Sequence, residues 1–195
     1  MPAEPHAAAD HRETETPRLP RWPFAFDPEK AIEAVLFVLP YIRQPTLHSV
    51  SKVLYQADRL HVARYGRPVT GDHYVAMRHG PVPSTTYDVL KTLRGDARTP
   101  VLLPEGAEAA LAVENGYTVT ARRRAYQEFL SPSERDCLAE AAKVHGSKSF
   151  GTLTDESHDA AWFAASENDV IELEHFLLTL DNRDELRAHF LHDDP

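Results

Sequence analysis

Apolar residues at Ile32, Val35, Leu36 and Leu39 recur at the i, i+3, i+4, i+7 interval of one helical face. The run opens with Asp27-Pro28: Asp27 offers an N-cap oxygen, and Pro28 sits where a missing N–H costs nothing. Pro40 is expected to end or kink this helix. The same spacing predicts a second helix from Thr46 to Tyr65, with Leu47, Val50, Leu54 and Ala57 on its inner face and Gly66 as its stop. "STTYDVLKTLR" predicts a third, with Tyr87, Leu90 and Leu93 on one side and Gly95 at its end. Alternation takes over in "EAALAVENGYTVTARR", where Asn115-Gly116 suits a type I′ turn and Tyr117 and Val119 alternate with Thr118 and Thr120. "HYVAMR" leans to β and is read as a third strand. Ser131, Pro132 and Glu134 form a capping box that opens another helix, closed by Gly146. "DESHDAAWFAA" and "ENDVIELEHFLLTLDNRDELRAHF" are each read as one further helix. The pattern therefore predicts an α+β, predominantly helical domain carrying a small antiparallel sheet or hairpin in its middle. Residues 1–21, biased to Pro, Glu, Ala and Thr, read as a disordered lead, 22–190 as a single domain, and 191–195 as a tail.

Composition narrows the function classes. A net charge of −9 over 195 residues argues against broad coating of nucleic acid, which needs a cationic face to release counterions. The lone cysteine, Cys137, makes no internal disulfide and reads as a small buried thiol. No stretch reaches the ~18 apolar residues of a membrane span, and the N-terminus lacks the basic start and apolar core of a secretory signal. A cytoplasmic protein with no membrane contact is expected.

The chemistry-bearing residues gather around one connection. On the second helix, Tyr55, Asp58, His61 and Tyr65 fall at spacings of three, three and four and share a face distinct from the apolar one. That face leads into "RYGRPVTGDHYVAMRHGPVPS". Gly66 and Gly71 admit unusual backbone angles, while Pro68, Pro81 and Pro83 fix φ. His79-Gly80-Pro81-Val82-Pro83 is read as a stiff, extended turn that holds neighbouring side chains in place. Trp22, Phe24 and Phe26 are expected to dock on the domain itself, and Phe176, Leu177, Leu180, Leu186 and Phe190 to lie in a core or a dimer contact.

Residues Lys52 to Lys91 closely resemble the core of the SocA-like antitoxins, or Panacea domain. That signature runs K-hydrophobic-L-Y-x-A-D, then H, then Y-G-x-P-hydrophobic-T/S-G-D-x-Y and G-P-V-P before a helix. Lys52, Leu54, Tyr55, Ala57, Asp58 and His61 stand in matching places, as do Tyr65, Gly66, Pro68, Thr70, Gly71 and Tyr74, and Gly80 through Pro83. Downstream, Ser157, His158 and Trp162 match the family's Ser/Thr-His pair and Trp, although Ala161 stands where the family often carries Pro. The resemblance extends roughly over residues 29 to 180. It implies a non-enzymatic antitoxin, often phage-associated, whose partner is a cognate protein toxin, with a protease as a further partner where a member acts as an adaptor. It implies no cofactor. It marks Tyr55, Asp58, His61, Tyr65, Tyr74, His79, Gly80, Pro81, Pro83, His158 and Trp162 as the shared niche.

Two rival readings compete. Asp58 and His61, joined by His79 or His158, would make a small metal-dependent enzyme, although HExxH and CxxC motifs are absent. The structural alternative has His61 donating to a carboxylate or carbonyl and pinning the helix to the Gly-Pro connection. Arg122, Arg123 and Arg124, with Arg59, Arg64 and Arg67 elsewhere, raise DNA contact and operon autorepression, without a helix-turn-helix to support them. The arginine run otherwise reads as a solvated strand edge. His6, His11, His189 and His192 are assigned to tails.

Overall fold

A computed structural model describes residues 18–192 apart from 96, 97 and 99. Helix α1 (Pro28–Val38) starts as its sequence dictates, with the Asp27 carboxylate accepting from Lys30 N. It ends in a 3-10 turn, Leu39–Tyr41, that contains Pro40. Helix α2 (Leu47–Tyr65) is capped by Thr46 and Ser49 in a reciprocal box and stopped by Gly66 in the left-handed conformation.

Helix α2 is the axis of the molecule. Every residue from Leu47 to Asp58 except His48 is buried, so the division into a greasy and a polar face does not separate core from solvent. Helix α5 (Pro132–His145) lies along one side, and α1 and the short helix α6 (Phe150–Ser157) pack on it as well. The polar stripe instead meets two strands, β1 (Tyr74–Met77) and β2 (Gly80–Pro83).

The "HYVAMR" strand does not join the Asn-Gly hairpin. That hairpin, β3 (Leu111–Glu114) and β4 (Thr118–Ala121), is a separate two-stranded sheet. It turns as predicted, with φ of 51° at Asn115 and 77° at Gly116 and Tyr117 N donating to the Glu114 carbonyl. Alternation begins only at Thr118, because Tyr117 belongs to the turn and is exposed. Ala107–Ala110 forms a helical turn, α4, ahead of β3.

Strand β1 is the centre of a three-stranded antiparallel sheet ordered β2-β1-β5, with β5 at Val170–Ile171. The supposed Gly-Pro turn is therefore a strand, with Arg78-His79 as the hairpin tip. Prolines are tolerated in it because of register. Ser84 N donates to the His73 carbonyl, whereas the Pro81 carbonyl faces α2 and accepts from Lys52 Nζ. The alternating Pro81 and Pro83 thus turn their missing N–H positions away from β1, where no ladder bond is lost.

The two C-terminal helices predicted from periodicity are each broken. Asp159 accepts from the N–H groups of Ala161 and Trp162 and starts α7 (Ala160–Ala164) afresh, splitting it from α6 at His158. Ala161, in place of the family's Pro, supplies one of those N–H groups. The last segment becomes β5, α8 (Leu173–Leu177) and α9 (Arg183–His192), because Ala76 draws Asn168 and Asp169 into backbone bonds beside β1. Helix α3 (Ser84–Arg94) follows β2 directly and ends at Gly95.

Two apolar clusters result. One gathers α1, the α2 inner face, α3, β3, β4 and α5; the other joins Tyr55, Tyr74, Ile171, Phe176, Leu186 and Phe190. Trp22 docks on the second: Nε1 donates to the Gly71 carbonyl at 3.0 Å and the ring meets Phe176 edge-on, while Phe24 meets Phe190. Of the predicted lead, residues 1–17 lie outside the described residues; Leu19 packs on this cluster and the Arg21 carbonyl accepts from Leu173 N. His189 and His192 lie in α9, not in a tail; 193–195 and the earlier His6 and His11 lie outside the described residues. Cys137 is buried. Among the described residues no helix is long and apolar enough to cross a membrane.

Candidate functional site

Asp58 is buried between α2 and the connection that leaves it. Oδ1 accepts from Val69 N at 2.7 Å and Oδ2 from the Tyr74 hydroxyl at 2.8 Å, so one carboxyl fastens helix, loop and β1 together. Burial pushes its pKa up to about 7, against the pull of those two hydrogen bonds. One turn later, His61 Nδ1 donates to the Arg67 carbonyl at 2.7 Å, the pinning role expected of it. Burial lowers the His61 pKa, and with Nδ1 donating to the Arg67 carbonyl, Nε2 of the neutral tautomer is the acceptor for the Ser133 hydroxyl at 3.2 Å. Tyr65 covers this ring from the solvent side, its centroid 4.8 Å away. The Arg67 guanidinium reaches the buried Glu134 at 2.7 Å. Burial alone would raise Glu134, but donors from Arg67, Ser131 N and Lys30 hold it below its ordinary value.

Asp72, the acid of the Gly-Asp-x-Tyr run, does a second fastening job. The first residues of α3 have no side-chain cap of their own, and Asp72 accepts from Thr85 N, Thr86 N and the Thr86 hydroxyl at 3.0, 2.7 and 2.8 Å. It is a helix cap delivered from outside the helix. Asp72→Ala should therefore destabilise the fold by about 2–3 kcal/mol, since it strands buried donors at a helix terminus. Urea unfolding followed by circular dichroism checks this; a loss below about 0.5 kcal/mol would show that water replaces the cap.

Tyr55 continues the network on the other side. Its hydroxyl donates to Asp159 at 2.8 Å and its ring lies 5.0 Å from Tyr74. His158 stacks on Trp162 at 3.8 Å, and Trp162 Nε1 donates to the Met77 carbonyl at 2.8 Å. Gly80, Pro81 and Pro83 line α2 from β2, and His79 sits on the hairpin tip 5.2 Å from the Phe150 ring. The structure thus joins Tyr55, Asp58 and Tyr74, places His61 one turn further along, and sends His79 and His158 elsewhere. The metal constellation of Asp58, His61 and a distant histidine is not assembled: the Asp58 oxygens and His61 nitrogens are occupied by the hydrogen bonds above. Among the described residues, no three His, Cys, Asp or Glu side chains are grouped to hold a metal ion.

The arginines are likewise engaged. Arg123 forms a two-pronged pair with the buried Glu33 and lies over the Tyr126 ring, so it is not a solvated edge. Arg59 lies 3.8 Å from Asp159, and Arg64 pairs with Glu140 at 2.8 Å. Arg123→Ala should cost about 2–3 kcal/mol, because it leaves Glu33 buried without its counter-charge. Arg124→Ala, on an exposed neighbour, should stay within about 0.5 kcal/mol, with both variants measured by urea unfolding.

One feature of the stripe was missed. Lys52 lies three residues before Tyr55, so the stripe begins a full turn earlier, at 52, 55, 58 and 61. Its side chain is almost wholly buried, Nζ donates to the Pro81 carbonyl at 2.7 Å, and burial lowers its pKa to about 7 although Asp159 opposes this. Lys52 stands at the edge of a cleft of about 540 Å³, with Leu47, Ser51, Gly80 and Val82. Arg78 and His79 of the hairpin tip, Arg94 of α3 and Tyr117 of the second hairpin also line it. His48 stacks on Phe150 at 4.0 Å in the same cleft, and burial, Lys52 and His79 lower its pKa to about 4. The i−4 spacing of His48 from Lys52 was the available signal; Tyr117 and Phe150 come from distant elements and carried none.

These features define a mainly helical α+β scaffold whose signature residues brace one helix against a small sheet, beside an open cleft. The family model described as antitoxin SocA-like, Panacea domain, matches residues 50–163, and the chain belongs to that family. The match begins inside α2 and ends in α7, and is narrower at both ends than the span of the sequence resemblance. No curated protein and no solved structure matches the chain.

Proposed function

We propose that this chain is an antitoxin that neutralises a cognate protein toxin by direct, non-enzymatic binding in the cytoplasm. The observation that carries this reading is the family match across α2, the β1–β2 hairpin and α5 through α7. The bracing residues are consistent with it. Tyr55, Asp58, His61 and Tyr74 spend their polar atoms on partners within the fold, namely one another, the backbone, Asp159 and Ser133, as a scaffold would, and leave partner choice to the surface around them. Delivery of the toxin to a protease is a variant of the same reading.

The test is growth rescue. Genes flanking that of this chain are induced singly and then with it, and any rescued pair is purified together. A toxic neighbour that is rescued and co-purifies supports neutralisation by contact. Rescue without a stable complex points to protease delivery or repression. Absence of any toxic neighbour removes the reading's main support.

A further inference from the structure

The cleft beside Lys52 has a chemistry unlike that of the chain around it. The protein carries a net charge of −9, yet among the described residues no carboxylate lines this cleft, while Arg78 and Arg94 do, with Lys52, His48 and His79 beside them. Its apolar surface comes from Leu47, Met77 and Val82. At about 540 Å³ it falls within the roughly 300–1,000 Å³ of ligand pockets. It is not a closed pocket, however: Phe150 and Tyr117 on its rim are 54% and 58% exposed. Large aromatics left that open, beside arginine, are the residue types that act as anchors in protein interfaces. Among the described residues Arg78, at the tip of the β1–β2 hairpin, has no carboxylate or hydrogen-bond partner.

The walls are held rigidly. Lys52 Nζ is fixed to the Pro81 carbonyl, and Gly80 lets β2 approach: with φ of 91°, a Cβ there would lie 2.3 Å from Ser157 Oγ and 3.0 Å from Lys52 Nζ. The Trp162 ring holds the Met77 carbonyl beneath the hairpin tip. A pre-formed, cationic and apolar groove between two hairpin turns and three helices favours an extended segment that alternates carboxylates with bulky apolar side chains. Complementary charge would steer its arrival, and the apolar floor would retain it.

We propose that this cleft binds an acidic, aromatic- or aliphatic-bearing peptide segment of a partner protein, seating carboxylates toward Arg78 and an apolar side chain between Phe150 and Val82. That the partner is a toxin rests on the antitoxin reading; the cleft's preference for such a segment does not.

The experiment uses the full chain, immobilised, and a phage-displayed library of random linear peptides, with selected peptides then made with a fluorescein label for polarisation titrations. A consensus combining Asp or Glu with an aromatic or aliphatic residue is expected. Arg78→Glu should weaken such a peptide by about tenfold or more, while the charge-matched Arg124→Glu outside the cleft should change it by less than about twofold. Both positions are exposed, and Phe150→Ser, also exposed, provides a second cleft variant expected to weaken binding. A neutral or basic consensus, no enrichment, or an acidic consensus that binds Arg78→Glu undiminished would each overturn the proposal. So would displacement of every selected peptide by inorganic phosphate alone, or a dimer of this chain that Arg78→Glu abolishes, since either assigns the cleft another occupant. Growth rescue that survives Arg78→Glu while no peptide is enriched would leave the antitoxin reading standing without this site.

Discussion

Gly71→Ala is expected to destabilise the protein by about 3 kcal/mol or more and to release the segment that carries Trp22. Gly71 has φ of 75°, and a Cβ built there would lie 1.9 Å from the Ala25 carbonyl oxygen, a backbone atom that cannot turn aside. The Gly71 carbonyl also accepts from the Trp22 indole, so the displacement that relieves the clash breaks the contact holding that aromatic segment. Gly95 is the natural control. It has φ of 84° with no atom within 4 Å of a built Cβ, so Gly95→Ala should cost only about 1 kcal/mol, the backbone strain by itself. Denaturant unfolding of both variants separates the terms, and the red shift of tryptophan emission in Gly71→Ala reports the release of Trp22. Equal losses in the two variants would mean that close approach contributes nothing.

The second large effect is a pH dependence centred on Asp58. Its carboxyl is raised from an ordinary 3.8 to about 7 by burial, with Asp72 and Glu134 adding repulsion. Between those values the unfolded chain has lost this proton and the folded chain keeps it, so the folded state binds more protons and stability falls as pH rises. Below 3.8 both states are protonated and the penalty is absent; above about 7 it is complete. The full difference is on the order of 4 kcal/mol. His48, held down to about 4 mainly by burial, acts in the opposite direction over an overlapping window, so the measured quantity is wild type minus variant. Asp58→Asn keeps an acceptor for Val69 N and removes the titration, so its stability relative to wild type should improve from pH 4 to pH 8. Asp58→Ala should lose about 3 kcal/mol even at pH 4, because Val69 N and the Tyr74 hydroxyl are then unpaired in the core. Parallel pH profiles of wild type and Asp58→Asn would refute the buried-acid account.

Legibility in the sequence followed the range of the interaction. The starts of α1, α2 and α5 were readable because Asp27, Thr46 and Ser131 bond N–H groups only three residues away. The Asn115-Gly116 turn was readable for the same reason. The C-terminal elements were misread as unbroken helices: their apolar spacing satisfies a helix, but pairing with β1 claimed residues 168–171 and the Asp159 cap interrupted the chain at His158. The Gly-Pro run was misread as a turn because a proline's fitness for a strand depends on which edge of the ladder it faces, and that is set by a partner strand and by Lys52.

The candidate site divides along the same line. The stripe of Tyr55, Asp58 and His61 on one helix, and its link to the glycines and prolines that follow, were determined by the sequence itself, since helical spacing alone puts those side chains on one face. What that stripe does was decided by the tertiary structure. Because α2 is surrounded, its polar face is buried and its acids and rings must find partners inside the fold, which turns a constellation that resembled a catalytic site into bracing. The cleft was decided there too: Lys52, Arg78, Tyr117 and Phe150 come from four separate elements, and no local spacing foretells side chains brought together only when those elements pack.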